Sequence, residues 1–246
     1  MQPKLSLVIP IYNAGVFIED SIQRLKDWMI EQDYLIEVIL VNDGSTDNTE
    51  LLLKKNISNS DCLALISYPS NKGKGHAVKQ GMLRAKGKYK VFTDADIPYG
   101  FKKINETLEH LDSKNFDVCI GSRVEKASKY RVKSSFFRTI SSKIFTFFIT
   151  KFVIDKVGDT QCGLKGFTAQ TADNIFSKLK ISGFAFDVET IYLCYKYNLR
   201  IKRIPVQFEG NTISTINLFS SSFRMFFDVL SLPIRYHILK AYSKAL

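Results

Sequence analysis

Two aspartates stand one residue apart in the segment Thr93-Asp94-Ala95-Asp96, directly after an apolar run. Carboxylates at this spacing can jointly present oxygen atoms to a divalent cation. Mg²⁺ or Mn²⁺ bound in this way commonly keeps waters and takes further ligands from substrate phosphates. The alternative is a structural role, in which Asp96 caps a helix that starts near Tyr99. Taken alone, the segment supports the two interpretations equally.

A second acidic turn, Asn42-Asp43-Gly44-Ser45-Thr46-Asp47, follows another apolar run. A carboxylate at its start could accept hydrogen bonds from a base or a ribose. Ser45 or Thr46 can instead cap the following helix, and for Thr46 and Asp47 the structural interpretation is favoured. Asp43 is therefore the candidate ligand-binding residue of this turn.

A third segment, Asn71-Lys72-Gly73-Lys74-Gly75-His76, is a basic loop rich in glycine. Such a loop before a helix can bring backbone N–H groups and a lysine to a phosphate. It matches neither the P-loop nor the dinucleotide-binding fingerprint, and a solvated lysine loop is an equal alternative. His76 is interpreted as a residue of the first helical turn rather than a ligand or base.

The elements that position these motifs are strands alternating with helices, a pattern that predicts an α/β fold with a mainly parallel sheet flanked by helices. Each motif follows one of the predicted strands. Open parallel sheets bind ligands beyond the carboxyl ends of their strands, so the motifs are expected to converge on one site. The predicted strands are Leu5–Pro10, Glu37–Asn42, Cys62–Ser67, Lys88–Asp94, Asp117–Gly121, Leu164–Thr168 and Ile201–Gln207.

Two later segments are basic and amphipathic. The stretch from Arg123 to Lys156 combines basic residues, serines and phenylalanines in near-helical spacing, which predicts one or two amphipathic helices after the core. Beyond Glu209, apolar residues at helical spacing form a stripe, and lysines and arginines stand between and after them. We therefore expect a catalytic domain over 5–215, with 123–156 as an insertion, and a basic amphipathic tail over 216–246.

The composition restricts the partners and the compartment. The 246 residues carry a formal net charge of +11, which indicates polyanions such as nucleotide phosphates, lipid headgroups or nucleic acid. The aromatic residues form no RNA-binding motif. An enzyme is therefore favoured over the non-enzymatic alternative, a nucleic-acid-binding protein. The widely spaced cysteines and the short N-terminal apolar run predict a cytoplasmic protein. The lack of a stretch of about 20 apolar residues predicts that there is no transmembrane helix.

The order of the motifs resembles that of family 2 glycosyltransferases of the GT-A fold, and the resemblance covers residues 5–240. In the first half it is carried by Val8-Ile9-Pro10-Ile11-Tyr12-Asn13, Asn42-Asp43-Gly44-Ser45, Asn71-Lys72-Gly73-Lys74-Gly75 and Asp94-Ala95-Asp96. The second half looks like the dolichyl-phosphate glucosyltransferase branch, to which polyprenyl-phosphate mannosyltransferases are close. The segments concerned are Gly121-Ser122-Arg123, Phe137-Arg138-Thr139, Asp159-Thr160-Gln161-Cys162-Gly163 and Phe184-Ala185-Phe186-Asp187-Val188-Glu189.

The resemblance implies a nucleotide-sugar site bound through Mg²⁺ or Mn²⁺. Asp94 and Asp96 would hold the metal and the diphosphate, with Asp96 the preferred direct ligand. Tyr12 and Asp43 would contact the nucleoside, and Lys74 would lie near the donor. The full set of implied donor-binding residues is Pro10, Tyr12, Asn13, Asp43, Gly44, Lys74, Asp94, Ala95 and Asp96.

This chain departs from the family at Ala14, where the family often has Glu after the Pro-x-Tyr-Asn run. The departure puts in doubt any donor contact that this acid normally makes. Glu19 and Asp20 are the candidates to replace it.

On the acceptor side, the resemblance implies that Arg123 and Arg138 bind the phosphate of the acceptor. The implied catalytic residues are Asp96, Arg123, Arg138, Asp159 and Asp187. The family reaction is an inverting displacement at the anomeric carbon, and an ionised phosphate acceptor needs no general base. Asp187 stands where relatives that glycosylate alcohols place a base, and Asp159 could orient metal, sugar or acceptor. For both, a structural role is an equal alternative.

The expected reaction is transfer of a hexose, glucose favoured, from a nucleotide-sugar, UDP-glucose favoured, to a polyprenyl or dolichyl phosphate. The alternatives are a GDP-mannose-dependent mannosyltransferase and a soluble family 2 transferase that extends a saccharide. The basic amphipathic segments 136–154 and 218–244 predict peripheral docking on the cytoplasmic face of a membrane. Packing on the domain, or a homo-oligomer interface, is the alternative for these segments.

Overall fold

Seven strands form a single sheet in the part of the chain described by the structure, a computed structural model. The described residues are 1–58, 61–125, 159–208 and 218–242, with 218–224 described by their backbone alone. The strands are β1 (Leu5–Ile11), β2 (Ile36–Asn42), β3 (Leu63–Ser67), β4 (Tyr89–Phe92), β5 (Val118–Ser122), β6 (Lys165–Thr168) and β7 (Ile201–Pro205).

The strand order is β3-β2-β1-β4-β6-β5-β7. Parallel pairing joins β1 to β2 and β4, β2 to β3, and β5 to β7. β6 runs antiparallel between β4 and β5, and Lys165 at its start lies opposite Phe92 and Ile120. The mainly parallel sheet is confirmed. Because β6 runs in reverse, its first residue lies at the edge where the neighbouring parallel strands end.

Helices cover both faces of the sheet, and strand alternation decides which residues they meet. Leu7 of β1 packs in one core cluster with Ile22, whereas Val8 faces the other cluster with Met82. The described helices are α1 (Ile18–Ile30), α2 (Thr49–Ile57), α3 (Lys74–Arg84), α4 (Gly100–Asp112), α5 (Ala169–Lys178), α6 (Phe186–Lys196) and α7 (Leu218–His237).

Two local boundaries differ from those predicted. β4 ends at Phe92, so Asp94 lies in the loop that follows the strand rather than in the strand itself. α2 has Asn48 as its N-cap residue, so the prediction that Ser45 or Thr46 caps it was wrong. Their hydrogen-bonding groups face the loop after β1 instead. The amphipathic helices predicted within 123–156 lie outside the described residues, except for residues 123–125.

The C-terminal helix α7 packs on the domain along one side. Val229 and Leu232 are buried in the core cluster that also contains residues of α3, α5 and α6. Beyond the helix, the Tyr242 hydroxyl donates a 2.5 Å hydrogen bond to Oε1 of buried Glu189. The described part of the predicted tail therefore contributes to the core. No helix in the described ranges is long and apolar enough to cross a membrane.

Candidate functional site

The predicted site lies at the carboxyl edge of the sheet, where β1, β2 and β4 end side by side. Pro10 is buried within β1, and the next exposed residue, Tyr12, keeps 45% of its surface accessible. The loop after β2 contributes Asp43, and the loop after β4 contributes the two aspartates around half-buried Ala95. The tertiary structure thus brings the motifs of the first half to one edge.

Asn13 joins the loops after β1 and β2. Its backbone N–H donates to Oγ of Ser45 at 2.9 Å, and its Oδ1 accepts from the backbone N–H of Thr46 at 2.8 Å. Asn13 adopts a left-handed conformation with φ of 49°, which Asn tolerates better than most residues. These two bonds fix the backbone directly after Tyr12, and the first occupies the hydroxyl oxygen of Ser45, which could otherwise cap α2.

The position of Ala14 offers no acid to a donor. Ala14 is buried, and its N–H donates to Oγ1 of Thr49 at 2.8 Å. Of the two candidate replacements, Glu19 pairs with Lys55 at 3.3 Å and Asp20 lies 3.9 Å from Arg24 on the surface of α1. Both acids are thus engaged with side chains of the α1–α2 surface.

Asp43 organises the glycine-rich loop. Its two carboxylate oxygens accept hydrogen bonds from the backbone N–H groups of Lys72 at 2.9 Å and Gly73 at 2.8 Å. Gly44 follows with φ of 67°, and a methyl group on it would overlap the backbone of Ser70. The turn after β2 and the loop before α3 are therefore built against each other. The expected contact of Asp43 with a nucleoside stays a prediction.

Lys74, the first residue of α3, reaches the aspartate pair. Its Nζ lies 2.5 Å from Oδ1 of Asp94. Burial opposes the charge of the ammonium, but attraction to Asp94, Asp187 and Asp96 outweighs it and raises the pKa of Lys74. The basic loop is consequently part of the acidic site, and its lysine is not merely solvated.

Asp96 lies in a partly buried position beside Asp94. Burial, followed by the nearby charge of Asp94, raises the pKa of Asp96. The helix that follows begins at Gly100 with Tyr99 as its N-cap residue, so Asp96 is not its cap. Ile97 has φ of 48°, a conformation that costs a β-branched residue about 1–3 kcal/mol. The backbone is strained next to the carboxylates, as is common where a fold holds a functional group in place.

Beneath this pair lies a buried ion pair that sequence reasoning missed. Nζ of Lys165 lies 2.5 Å from Oδ1 of Asp187 and 2.6 Å from the carbonyl oxygen of Cys162. Burial raises the pKa of Asp187, and the ammonium groups of Lys165 and Lys74 counter that rise. A lysine inside an otherwise apolar predicted strand was the available signal, because a buried charge must have a partner.

The segment 159–163 connects the aspartate pair to Arg123. At one end, a methyl group on Gly163 would overlap Oδ2 of Asp94. At the other end, Asp159 accepts from Nε of Arg123 at 2.5 Å and from Nη2 at 2.6 Å. Although burial opposes its charge, the guanidinium holds the pKa of Asp159 below its usual value. Asp159 thus orients the arginine that was predicted to bind a phosphate.

Among the predicted acceptor residues, Arg123 lies at this site and Arg138 falls outside the described residues. The paired carboxylate of Asp159 compensates much of the charge of Arg123, whose side chain is 28% exposed. A phosphate that binds Arg123 would therefore accept hydrogen bonds from a guanidinium that Asp159 has already oriented.

Few protein groups at this site could serve as metal ligands. Within the described ranges, no group of three or more His, Cys, Asp or Glu residues could hold a metal ion. Asp94 and Asp96 are the acidic pair at the exposed side of the site. A divalent ion held by such a pair would take its remaining ligands from water and a bound diphosphate.

Comparison with known proteins shows similarity to one family over most of the chain. Residues 6–176 match glycosyl transferase family 2. The dolichyl-phosphate beta-glucosyltransferase of Dictyostelium discoideum is 35% identical over 243 residues, covering 94% of this chain and 74% of the relative. The human enzyme of the same name is 30% identical over 245 residues, covering 95% of this chain and 76% of the relative.

Solved structures share the fold. Mannosyl-3-phosphoglycerate synthase from Rubrobacter xylanophilus superposes with a TM-score of 0.70 at 14% identity, covering 99% of this chain and 77% of that chain. Glucosyl-3-phosphoglycerate synthase from Mycobacterium tuberculosis, in complex with Mn²⁺, UDP-glucose and phosphoglyceric acid, has a TM-score of 0.68 at 17% identity, covering 93% and 79%. At these identities the likeness establishes the GT-A fold.

The family match spans more than half of the chain, and its motifs meet at the carboxyl edge of the expected sheet. On this ground, the chain belongs to glycosyl transferase family 2.

Proposed function

We propose that this enzyme transfers a hexose, with glucose favoured, from a nucleotide-sugar to a polyprenyl phosphate. One observation carries the proposal: segment 159–163 contacts Asp94 at one end and orients Arg123 at the other. A group for the donor diphosphate and a group for an anionic acceptor are thereby linked within five residues. The relatives named dolichyl-phosphate beta-glucosyltransferase support glucose as the sugar and dolichyl phosphate as the acceptor class.

The donor would bind along the carboxyl edge, with its nucleoside toward Tyr12 and the turn of Asp43 and its diphosphate toward Lys74. The exposed ring of Tyr12 offers a surface for a base. The glycine-rich loop is held by Asp43, so Lys74 starts from a backbone that is already ordered. Such pre-organisation lowers the cost of ordering the site when the donor binds.

The residues present fit a divalent cation. Oδ1 of Asp94 already attracts a cation, the Lys74 ammonium, and the raised pKa of Asp96 reflects burial beside a second carboxylate. We infer that Asp94 and Asp96 hold Mg²⁺ or Mn²⁺, and a structure of the same fold contains Mn²⁺ with UDP-glucose. When bound, the metal would neutralise charge on the leaving diphosphate.

The acceptor would bind at Arg123, together with Arg138. A phosphate monoester is ionised at neutral pH, so the chain's task is to position it and offset its repulsion from the donor. Asp187 is buried and paired with Lys165, which suits an organising role for this carboxylate better than proton abstraction from an acceptor. The proposed displacement therefore uses no general base.

A membrane-docking surface is proposed on α7. The side of this helix that faces away from the core exposes Phe227 and Ile234, and Ile238, Leu239 and Lys240 continue the exposed surface beyond it. Apolar side chains beside basic ones are typical of surfaces that enter the headgroup region of a bilayer. Peripheral binding on the cytoplasmic face would bring the site to a lipid phosphate.

A donor and acceptor screen tests the proposal. Purified protein would receive UDP-glucose or GDP-mannose, with dolichyl or undecaprenyl phosphate, in the presence of Mg²⁺ or Mn²⁺. We expect glucose transfer from UDP-glucose that is abolished by EDTA and in Asp96→Ala. Asp27→Ala, on the exposed face of α1, is the matched acidic control.

Preferred use of GDP-mannose would reassign the enzyme as a mannosyltransferase. Extension of a free saccharide, without transfer to either lipid phosphate, would overturn the proposed acceptor. Full metal-dependent activity in Asp96→Ala would overturn the metal assignment.

A further inference from the structure

The ammonium of Lys74 occupies the approach to Asp94. Its Nζ lies 2.5 Å from Oδ1. The other oxygen, Oδ2, packs against Gly163 so closely that a methyl group there would overlap it. Of the two oxygens of Asp94, the one that lies farther from Gly163 is therefore bound by a protein cation.

The side chain of Lys74 can leave this position without disturbing the core. The backbone around it is held, because Gly73 donates to Asp43 and Lys74 begins α3. The side chains of Lys74 and Asp94 are 21% and 33% exposed, so their pair borders solvent. A lysine side chain has a flexible four-carbon stem, which allows the ammonium to move while the helix stays in place.

We propose that, before the nucleotide binds, the ammonium of Lys74 occupies the oxygen of Asp94 that would bind the divalent metal. When the nucleotide binds, this ammonium moves to the donor diphosphate. This inference rests on the proposed function, which supplies both the metal and the diphosphate. Metal and nucleotide then bind cooperatively, because the nucleotide removes a competitor from the metal site.

The physical basis is competition between two cations for one carboxylate oxygen. A divalent ion needs that oxygen at about 2.0–2.1 Å, which excludes an ammonium hydrogen-bonded to the same lone pairs and adds like-charge repulsion. A diphosphate offers Lys74 charge-assisted hydrogen bonds that replace the one it loses. By linkage, the metal must strengthen nucleotide binding by the same factor, and such couplings typically reach about 5–150-fold.

The test is a Mn²⁺ titration followed by the electron paramagnetic resonance of free Mn²⁺, with and without saturating UDP. The wild-type protein should bind Mn²⁺ weakly alone and about tenfold or more tightly with UDP. Lys74→Met should bind Mn²⁺ about tenfold more tightly than wild type without UDP, and should gain much less from UDP. Lys74→Gln should behave in the same way, and thermal melting would check that both variants are folded.

The matched control is Lys72→Met, which removes the same charge two residues away. Lys72 is exposed, and its ammonium lies 4.8 Å from the centre of the Tyr68 ring rather than on Asp94. This variant should keep the weak Mn²⁺ binding of the wild type without UDP. An equal gain in Lys72→Met would reduce the effect to net charge and overturn the inference.

Two further results separate this inference from the function on which it rests. If wild type binds UDP and Mn²⁺ together but neither Lys74 variant gains Mn²⁺ affinity, Lys74 does not compete with the metal for Asp94. The proposed function then stands. If wild type binds neither UDP nor Mn²⁺ under any condition, the proposed donor site fails and the inference fails with it.

Discussion

Nζ of Lys165 lies 2.5 Å from Oδ1 of Asp187, and both side chains are almost fully buried. The same ammonium donates to the carbonyl oxygen of Cys162. It therefore joins the start of β6, the segment 159–163 and the first turn of α6 beneath the site. Because the pair is withdrawn from water, its two charges depend on each other far more than a surface pair would.

Replacing this lysine should destabilise the fold. Lys165→Met leaves the Asp187 carboxylate buried without its partner, and we expect a loss of about 3–5 kcal/mol in the free energy of unfolding. Urea denaturation measures it. The double variant Lys165→Met/Asp187→Asn removes both charges and should be more stable than the single variant. A double variant no more stable than the single one would contradict the interdependence of the pair.

Gly163→Ala should damage the site more than the fold. The added methyl group overlaps Oδ2 of Asp94 and must displace that carboxylate, and a displacement of about 1 Å can cost roughly 100-fold in activity. The measurement is kcat/KM for sugar transfer beside a thermal melt. Gly183→Ala is the matched control, because a methyl group there meets no atom within 4 Å. Near-normal activity in Gly163→Ala would contradict the close packing.

The Arg123–Asp159 pair should contribute stability that depends on pH. The pKa of Asp159 is lower in the folded state than in the unfolded chain, so its contribution is present above the unfolded pKa of about 3.9. It is lost as the pH falls through the lower folded value. The difference in unfolding free energy between wild type and Asp159→Asn should therefore be larger at pH 6 than at pH 3. A difference that grows toward acid would show the opposite sign.

The exposed side of α7, together with Ile238 directly after it, should determine membrane binding. Phe227, Ile234 and Ile238 are 66%, 51% and 73% exposed, so changing all three to serine should leave the fold intact. Each buried apolar side chain contributes about 1.5–3 kcal/mol, and flotation with anionic liposomes should show membrane affinity reduced by at least about tenfold.

The control for this surface is Ile30→Ser/Leu51→Ser, at residues that are 82% and 69% exposed on α1 and α2. It should float like the wild type. Equal flotation of the α7 variant and the wild type would rule out this surface as the docking face.

Periodicity and motif order were enough to predict the sheet and one edge of the site. Parallel strands such as β1 and β2 are buried apolar runs, and residues that follow them must share an edge. Hence Asp43, Asp94 and the loop that contains Lys74 could be placed together from the sequence pattern. The family resemblance added the prediction that Tyr12 and Lys74 lie near a donor, and in the structure Lys74 lies beside Asp94.

The partners of these groups were decided only by the tertiary structure. Local pattern does not reveal that β6 enters the sheet in reverse, which brings Lys165 to Asp187, 22 residues away. Nor does it show that Gly163 closes one side of Asp94, or that α7 packs with one side and exposes the other. Such contacts depend on where the chain returns in space, whereas periodicity reports only on neighbours along it.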